Sequence, residues 1–182
     1  MTVNGWQRFW GHLRTITRHR HQVIANCCRA GILWQGLRHD LSKYGLTEFR
    51  EGVRFYNGRH SPTEDERRQC GYSLAWMHHK GRNRHHWEYW TDFNMDEHRY
   101  KAVEMPRRFL AEMICDRLAA SRIYLGDQYT DASPLEYLMH GKMHQYMHPA
   151  TYEALVRFLT QLRDEGEEAM FRGLREYVRE KA

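Results

Sequence analysis

Apolar residues recur at intervals of three and four along most of this chain, whereas the alternating apolar and polar runs typical of strands are nearly absent. The clearest case is the segment 6–29, which stops at Ala30 and Gly31, a sequence typical of a helix C-terminus. The apolar positions on its predicted inner face are Phe9, Leu13, Ile16, Val23 and Cys27. This periodicity predicts an all-α fold, in which each helix buries one face.

The same pattern and its end signals divide the chain into a bundle of about seven helices. The predicted helices cover residues 6–29, 32–41, 47–57, 61–79, 106–125, a short stretch from 134, and 149–164. Thr47 is the expected N-cap of the third helix, and Ser61 is expected to open the fourth with a capping box. Residues 80–104 are polar, aromatic and only partly periodic, so we expect one long ordered loop there.

The length of 182 residues suits one domain with one core. We expect a single domain over residues 1–182, with a core over about 6–164 and a charged C-terminal helix over 165–182. No run of about 18 apolar residues occurs, so we expect no membrane partner and a cytoplasmic location. The aromatic N-terminus and the methionine-rich segment 139–147 are candidate homodimer surfaces, although core packing is the more common use of methionine.

Net charge narrows the class of partner, and cysteine usage narrows the kind of metal site. The formal net charge of +5 favours an anionic partner, either a small phosphorylated substrate or nucleic acid. The four cysteines form no CxxC pair, so a thiolate zinc site is not expected. Histidine is in excess, at 13 residues, and imidazole nitrogens are alternative metal ligands.

Two ionisable residues fall on apolar helix faces. His19 lies on the inner face of the first predicted helix, whereas His21 points to the opposite side. Asp116 lies on the apolar face of the fifth predicted helix, where an ionised carboxylate must be paired, hydrogen-bonded or bound to a metal. The simpler alternatives are a hydrogen-bonded core histidine at position 19, and an ion pair of Asp116 with Arg117 or Arg38.

Two further stretches combine imidazoles with other functional groups. His39 and Asp40 are adjacent, but Asp40 alone is equally explained as a cap of the next turn. Residues 78–90 contain four histidines, followed by aromatic residues that need burial, so this loop is expected to fold back onto the domain. Basic residues among aromatics also fit a platform for single-stranded nucleic acid, in which the histidines are structural.

The order His19, His39-Asp40, Asp116 resembles the H…HD…D order of the HD superfamily, metal-dependent phosphohydrolases with an all-helical core. The chain is more closely similar to a small uncharacterised bacterial and phage family of HD-like proteins. The stretches that carry this likeness, which spans about residues 16–162, are HDLSKYGLTEF, FYNG, HKGRNRHHWEYW and EMICDRLAAS. The resemblance implies an HD-domain-like helical bundle.

The resemblance also implies a metal site. The residues that match HD metal ligands are His19, His39, Asp40, His79, one of His85 and His86, and Asp116. Asp40 is the residue that can bridge two ions. The two extra histidines lie closer together here than in that superfamily, and only 20 residues separate His19 from His39, so one ion and two ions both stay open. An imidazole and carboxylate set suits Mn, Fe, Co, Ni or Zn.

The implied activity is hydrolysis of a nucleotide or another small phosphate ester by metal-activated water, with Asp40 and Lys43 as catalytic residues. The candidate phosphate contacts are Lys43, Arg82 and Arg84. The residues expected to support the ligands or the loop are Glu48, Asn83 and Glu88. Glu48 is equally explained as an acidic residue at a helix start. The alternatives to this activity are an HD-type di-iron oxygenase and a basic nucleic-acid-binding module.

Overall fold

The structure is a computed structural model and describes residues 4–180. Within that range the chain forms nine α-helices: α1 (Gly5–Arg29), α2 (Leu33–Arg38), α3 (Leu46–Phe55), α4 (Pro62–Cys70), α5 (Leu74–Arg82), α6 (Arg107–Leu125), α7 (Ser133–His140), α8 (Pro149–Glu165) and α9 (Glu167–Arg179). A small antiparallel hairpin joins β1 (Thr91–Asn94) to β2 (Arg99–Ala102). The predicted all-α fold is confirmed. Across residues 4–180, every helix is too short or too polar to traverse a bilayer.

The hydrophobic core is built around α6. Its fully buried residues include Leu110, Ile114 and Leu118, and α1 packs on this helix from one side while α8 and α9 pack from another. Because α9 also buries Met170 and Phe171 in the same cluster, the core extends into the charged C-terminal helix. That helix ends at Arg179, and the last two positions of the predicted range 165–182 lie outside the described residues.

The predicted helix over 61–79 is in fact two helices. Gly71 ends α4 with a φ of 81°, a left-handed conformation that glycine adopts without strain. The Ser73 side chain then accepts a hydrogen bond from the Trp76 backbone N–H and begins α5. The capping box predicted at Ser61 is wrong, because its hydroxyl bonds Thr63 Oγ1 at 2.9 Å and caps no backbone N–H of the described chain. The break turns α5 so that its last residues meet α3.

The second predicted helix ends earlier than expected. α2 stops at Arg38 because His39 leaves the helical conformation, with a ψ of 130°. Asp40 then has a φ of 52°, in the left-handed region where Asp is better tolerated than most residues. A short 3-10 turn, Leu41–Tyr44, follows, and α3 begins after Gly45 rather than after the predicted cap Thr47. The chain therefore reverses direction at His39 and Asp40, and both side chains are buried.

The ordered loop predicted over 80–104 contains more regular structure than expected. It begins with the last turn of α5 and continues through a 3-10 turn, Trp87–Tyr89, into the β hairpin. The side chains of Trp87 and Trp90 pack against the core, which confirms that the loop folds back onto the domain. The hairpin was missed because nearly all of its residues are exposed, so neither strand shows the alternation of a half-buried strand.

Candidate metal centre

Five segments bring their imidazoles and carboxylates to one place beside the core. α1 supplies His19, the turn after α2 supplies His39 and Asp40, and α6 supplies Asp116. The remaining donors come from α5 and the loop that follows it, and are His79, His85 and His86. All seven residues that the sequence singled out as possible ligands are therefore gathered together. Four of them are almost inaccessible to solvent, at 1–2% exposure: His39, Asp40, His79 and His85.

Two of the three groups of possible donors share Asp40, and the third consists of His39, His85 and Glu112. One donor atom from each of His19, His39, Asp40 and Asp116 lies within 4.8 Å of the others, and the same holds for Asp40, His79, His85 and His86. Asp40 Oδ2 is 3.2 Å from His39 Nε2 in the first group. Asp40 Oδ1 is 3.2 Å from His79 Nε2 and 3.5 Å from His85 Nε2 in the second. The two oxygens of one carboxylate thus face different groups.

The first group is closed by Asp116. Its Oδ1 is 2.9 Å from His19 Nε2 and 3.5 Å from His39 Nε2. Among the residues described, it forms no ion pair with Arg117 or Arg38, the two partners that the sequence left open. His19 is buried and His21 is exposed, which confirms the predicted orientation of α1.

Several buried polar atoms in the centre make no well-aligned hydrogen bond to any residue from 4 to 180, although Lys43 Nζ is 2.6 Å from Asp40 Oδ2 and His19 Nε2 is 2.9 Å from Asp116 Oδ1. They are the Nε2 atoms of His19, His39, His79, His85 and His86, and both Asp40 oxygens. Buried polar atoms are nearly always hydrogen-bonded, and hydrogen-bonded core histidines would not leave five such nitrogens gathered around the Asp40 and Asp116 carboxylates. A cation would satisfy these atoms together, so the donor set fits a metal site.

Two buried glutamates contact the Nδ1 atoms of the imidazoles. Glu48 accepts hydrogen bonds of 2.7 Å from His78 Nδ1 and His79 Nδ1. Glu112 Oε1 is 3.0 Å from His39 Nδ1 and 3.2 Å from His85 Nδ1. Because a carboxylate can only accept, these contacts place an imidazole proton on Nδ1, so Nε2 is the nitrogen available to a cation once it has lost any proton of its own.

Glu48 was predicted to support the ligands, whereas the sequence analysis did not single out Glu112. A usable signal was present, since Glu112 precedes Asp116 by four residues and therefore lies on the same face of α6. A second acidic residue on that apolar face is as unusual as the first. Its importance was missed because its partners are 73 and 27 residues away in the chain.

Burial and charge act in opposite directions on the pKa values of the centre. Burial lowers the pKa of His39, but the neighbouring Asp40, Asp116 and Glu112 carboxylates outweigh it and raise the pKa well above its usual value. Burial raises the pKa of Asp40, but His39, Lys43 and His79 hold it well below its usual range. Asp40 therefore stays ionised, as a cation ligand must be.

Lys43 is the one predicted phosphate contact that lies beside the centre. Its Nζ is 2.6 Å from Asp40 Oδ2. Burial lowers the pKa of Lys43, but the charges of Asp40 and Asp116 raise it above its usual value, so the amine stays protonated. Asp40 was also explained by the sequence as a cap, yet its side chain caps no N–H of the described chain.

Within the described residues, the other two predicted phosphate contacts do not pair with the carboxylates of the centre. Arg82 and Arg84 are both exposed, and the Arg84 guanidinium instead lies 5.5 Å from the centroid of the Tyr89 ring.

Of the residues predicted to support the loop, Asn83 makes the clearest contacts. Its Nδ2 donates to the His79 carbonyl at 2.8 Å and to Ser42 Oγ at 2.9 Å, and so holds the end of α5. Glu88 is half-buried, its pKa is raised by burial, and it bonds none of the described candidate ligands through its side chain.

Comparison with known proteins places the chain in a family without assigning an activity. Residues 8–161 match DUF5662, a family of unknown function. Searches of curated proteins and of solved structures returned no match. Since the matched region includes every candidate ligand and covers most of the chain, this protein belongs to the DUF5662 family.

Proposed function

We propose that this protein is a metal-dependent phosphohydrolase of HD type that acts on a nucleotide or another small phosphate ester. The observation that carries the proposal is the gathering of five buried Nε2 atoms around the Asp40 and Asp116 carboxylates, none of them in a well-aligned hydrogen bond to a described residue. The likeness of the His39-Asp40 motif and its distant partners to HD enzymes supports the same reaction class.

The chemical types of the donor atoms limit which metal ions the site can prefer. Imidazole and carboxylate donors without thiolate suit Mn, Fe, Co, Ni or Zn better than Mg or Ca. The division of the donors into two groups that share Asp40 supports two ions rather than one. A divalent ion held there would lower the pKa of a water molecule and polarise a phosphoryl oxygen.

The chain's own residues would supply charge and orientation. Lys43 remains protonated beside Asp40, so it would act as a fixed positive charge toward a phosphoryl group rather than as a base. Glu48 and Glu112 would keep the Nε2 lone pairs directed inward. Asp40, ionised and shared by both donor groups, would be the residue on which both groups depend.

Elemental analysis of the purified full-length chain, followed by an aryl phosphate assay with Mn, Co or Ni, tests the proposal. Asp40→Asn keeps a side chain that tolerates the left-handed conformation at this position but removes the charge. We expect it to lose metal and at least about 100-fold in activity, because a catalytic metal contributes several kcal/mol. His21→Ala, on the opposite face of α1 from His19, should change neither quantity. Full metal content in Asp40→Asn would contradict the site.

A di-iron oxygenase is the second candidate, because the same two-group set of imidazoles and carboxylates also suits two iron ions. Two irons per chain, with an absorption change on reduction and exposure to dioxygen, would favour it. Hydrolysis of an aryl phosphate with Mn, Co or Ni would exclude it as the main activity.

A nucleic-acid-binding module with structural histidines is less well supported. Arg84 lies against aromatic rings, and the histidines leave Nε2 atoms that bond no described residue, which structural histidines rarely do. Tight binding to single strands, with a steep salt dependence and no effect of a chelator, would reverse this preference.

A further inference from the structure

We propose that Glu112 is a positioning residue that couples the two donor groups, so that the binding of both ions depends on it. This inference rests on the proposed metal centre. Glu112 forms the third group of possible donors with His39 and His85, but its Oε1 already contacts the Nδ1 atoms of both imidazoles. Its effect would pass through the two imidazoles that it holds.

One oxygen of Glu112 serves a ring from each group. Oε1 is 3.0 Å from His39 Nδ1 and 3.2 Å from His85 Nδ1. His39 belongs to the group with Asp116, and His85 belongs to the group with His79. The two ring centroids are 4.3 Å apart, so a displacement of this oxygen moves or releases both rings.

Glu112 is itself held in place. It is 6% exposed, and its second oxygen, Oε2, accepts a hydrogen bond of 2.9 Å from Gln35 Nε2 on α2. Gln35 also donates to the Arg108 carbonyl at 3.2 Å, which ties α2 to the start of α6. The carboxylate is thus fixed from the side opposite to the imidazoles, as a positioning residue requires.

Glu48 provides a natural comparison. It also accepts hydrogen bonds from two imidazoles, but only His79 belongs to a donor group. Its other partner, His78, lies in neither group and its side chain is 25% exposed. A change at Glu48 should therefore affect one ion, whereas the same change at Glu112 should affect two.

The test is a Co²⁺ titration of the full-length, metal-stripped chain. Calorimetry and the visible absorption of bound Co²⁺ both monitor the binding. Glu112→Leu removes the acceptor and should weaken both ions by roughly 10–100-fold. Glu48→Leu should weaken one ion by that factor and leave the other unchanged. Glu112→Gln keeps an acceptor oxygen for both imidazoles, so it should retain two ions with a smaller loss of affinity.

Circular dichroism identifies any leucine variant that fails to fold. In that case the comparison uses Glu112→Gln and Glu48→Gln, and we again expect weaker binding of two ions in the first variant and of one ion in the second. A loss confined to one ion in the Glu112 variants, or equal losses in the Glu112 and Glu48 variants, would overturn the coupling. A wild-type chain that binds a single ion would also overturn it while leaving the metal centre intact. A wild-type chain that binds no metal would overturn both proposals.

Discussion

His12 and His19 lie on the same inner face of α1, seven residues apart, but in different surroundings. His19 points at two carboxylates of the centre. His12 packs between the rings of Phe49 and Tyr56, and burial, followed by the charge of Lys43, lowers its pKa from 6.5 to about 4. The helix thus carries one histidine suited to ligand binding and one that folding keeps neutral.

His12 makes the fold sensitive to acid. Because its pKa is lowered to about 4, the folded state binds fewer protons than the unfolded state between about pH 6.5 and pH 4. Its contribution is complete above pH 6.5 and is lost as the pH falls, by about 3 kcal/mol at most. His12→Leu should therefore show a shallower fall in the free energy of unfolding over this range, measured by urea denaturation. If His21→Leu, at an exposed position, flattens the curve equally, the assignment is wrong.

At the scale of elements, the approach of α2 to α1 places the His39-Asp40 turn beside His19. A Cβ atom at Gly36 would lie 2.6 Å from Cys27 Cβ and 3.2 Å from the Ile24 Cα, so only glycine lets α2 lie this close. Since α2 leads directly into the turn, the spacing of two helices determines the geometry of the first donor group.

Gly36→Ala should consequently affect both stability and metal binding. Overpacking against α1 is expected to cost about 1–3 kcal/mol in the free energy of unfolding, and the displaced turn should weaken the metal. Gly81→Ala is the matched control, because a Cβ there meets nothing within 4 Å and should stabilise α5 by up to about 1 kcal/mol. Urea denaturation and a metal titration give both quantities. Unchanged metal affinity in Gly36→Ala would show that the turn does not depend on this contact.

At the scale of the whole molecule, the centre joins segments that are far apart in the chain. Donors come from α1, the turn after α2, α5 with its loop, and α6, whereas α8 and α9 pack on α6 without contributing a donor among the described residues. A ligand that binds only when these segments are assembled stabilises the folded state as a whole.

Metal binding should therefore raise the melting temperature. At a free metal concentration of 100 times Kd the gain is about 2.7 kcal/mol, which corresponds to roughly 5–10 °C for a chain of this size. Differential scanning calorimetry with added Mn²⁺ or Co²⁺ measures the shift, and a chelator should reverse it. Asp40→Asn should show little or none of it; a full shift in that variant would place the metal elsewhere.

Features that depend on local spacing could be predicted from the amino-acid sequence alone. Helical periodicity predicted the all-α fold and the orientation of His19 relative to His21, because a helix converts sequence spacing directly into a face. It also selected the seven possible ligands, through the resemblance and through the polar residues on apolar faces. It did not separate His85 from His86, and the tertiary structure brings both of them to Asp40.

Contacts between distant groups became visible only in the folded chain. Helix packing determines the left-handed turn at Asp40, the break at Gly71 and the contact of Glu112 with His39. Sequence patterns record only local conformational preferences, and tertiary packing can override these preferences. The sequence also did not predict the contact of the Arg84 guanidinium with the Tyr89 ring, whose centroid lies 5.5 Å away. Helices are specified by neighbours three and four residues apart, whereas this centre is specified by hydrogen bonds and ion pairs between segments up to 97 residues apart, which no local pattern records.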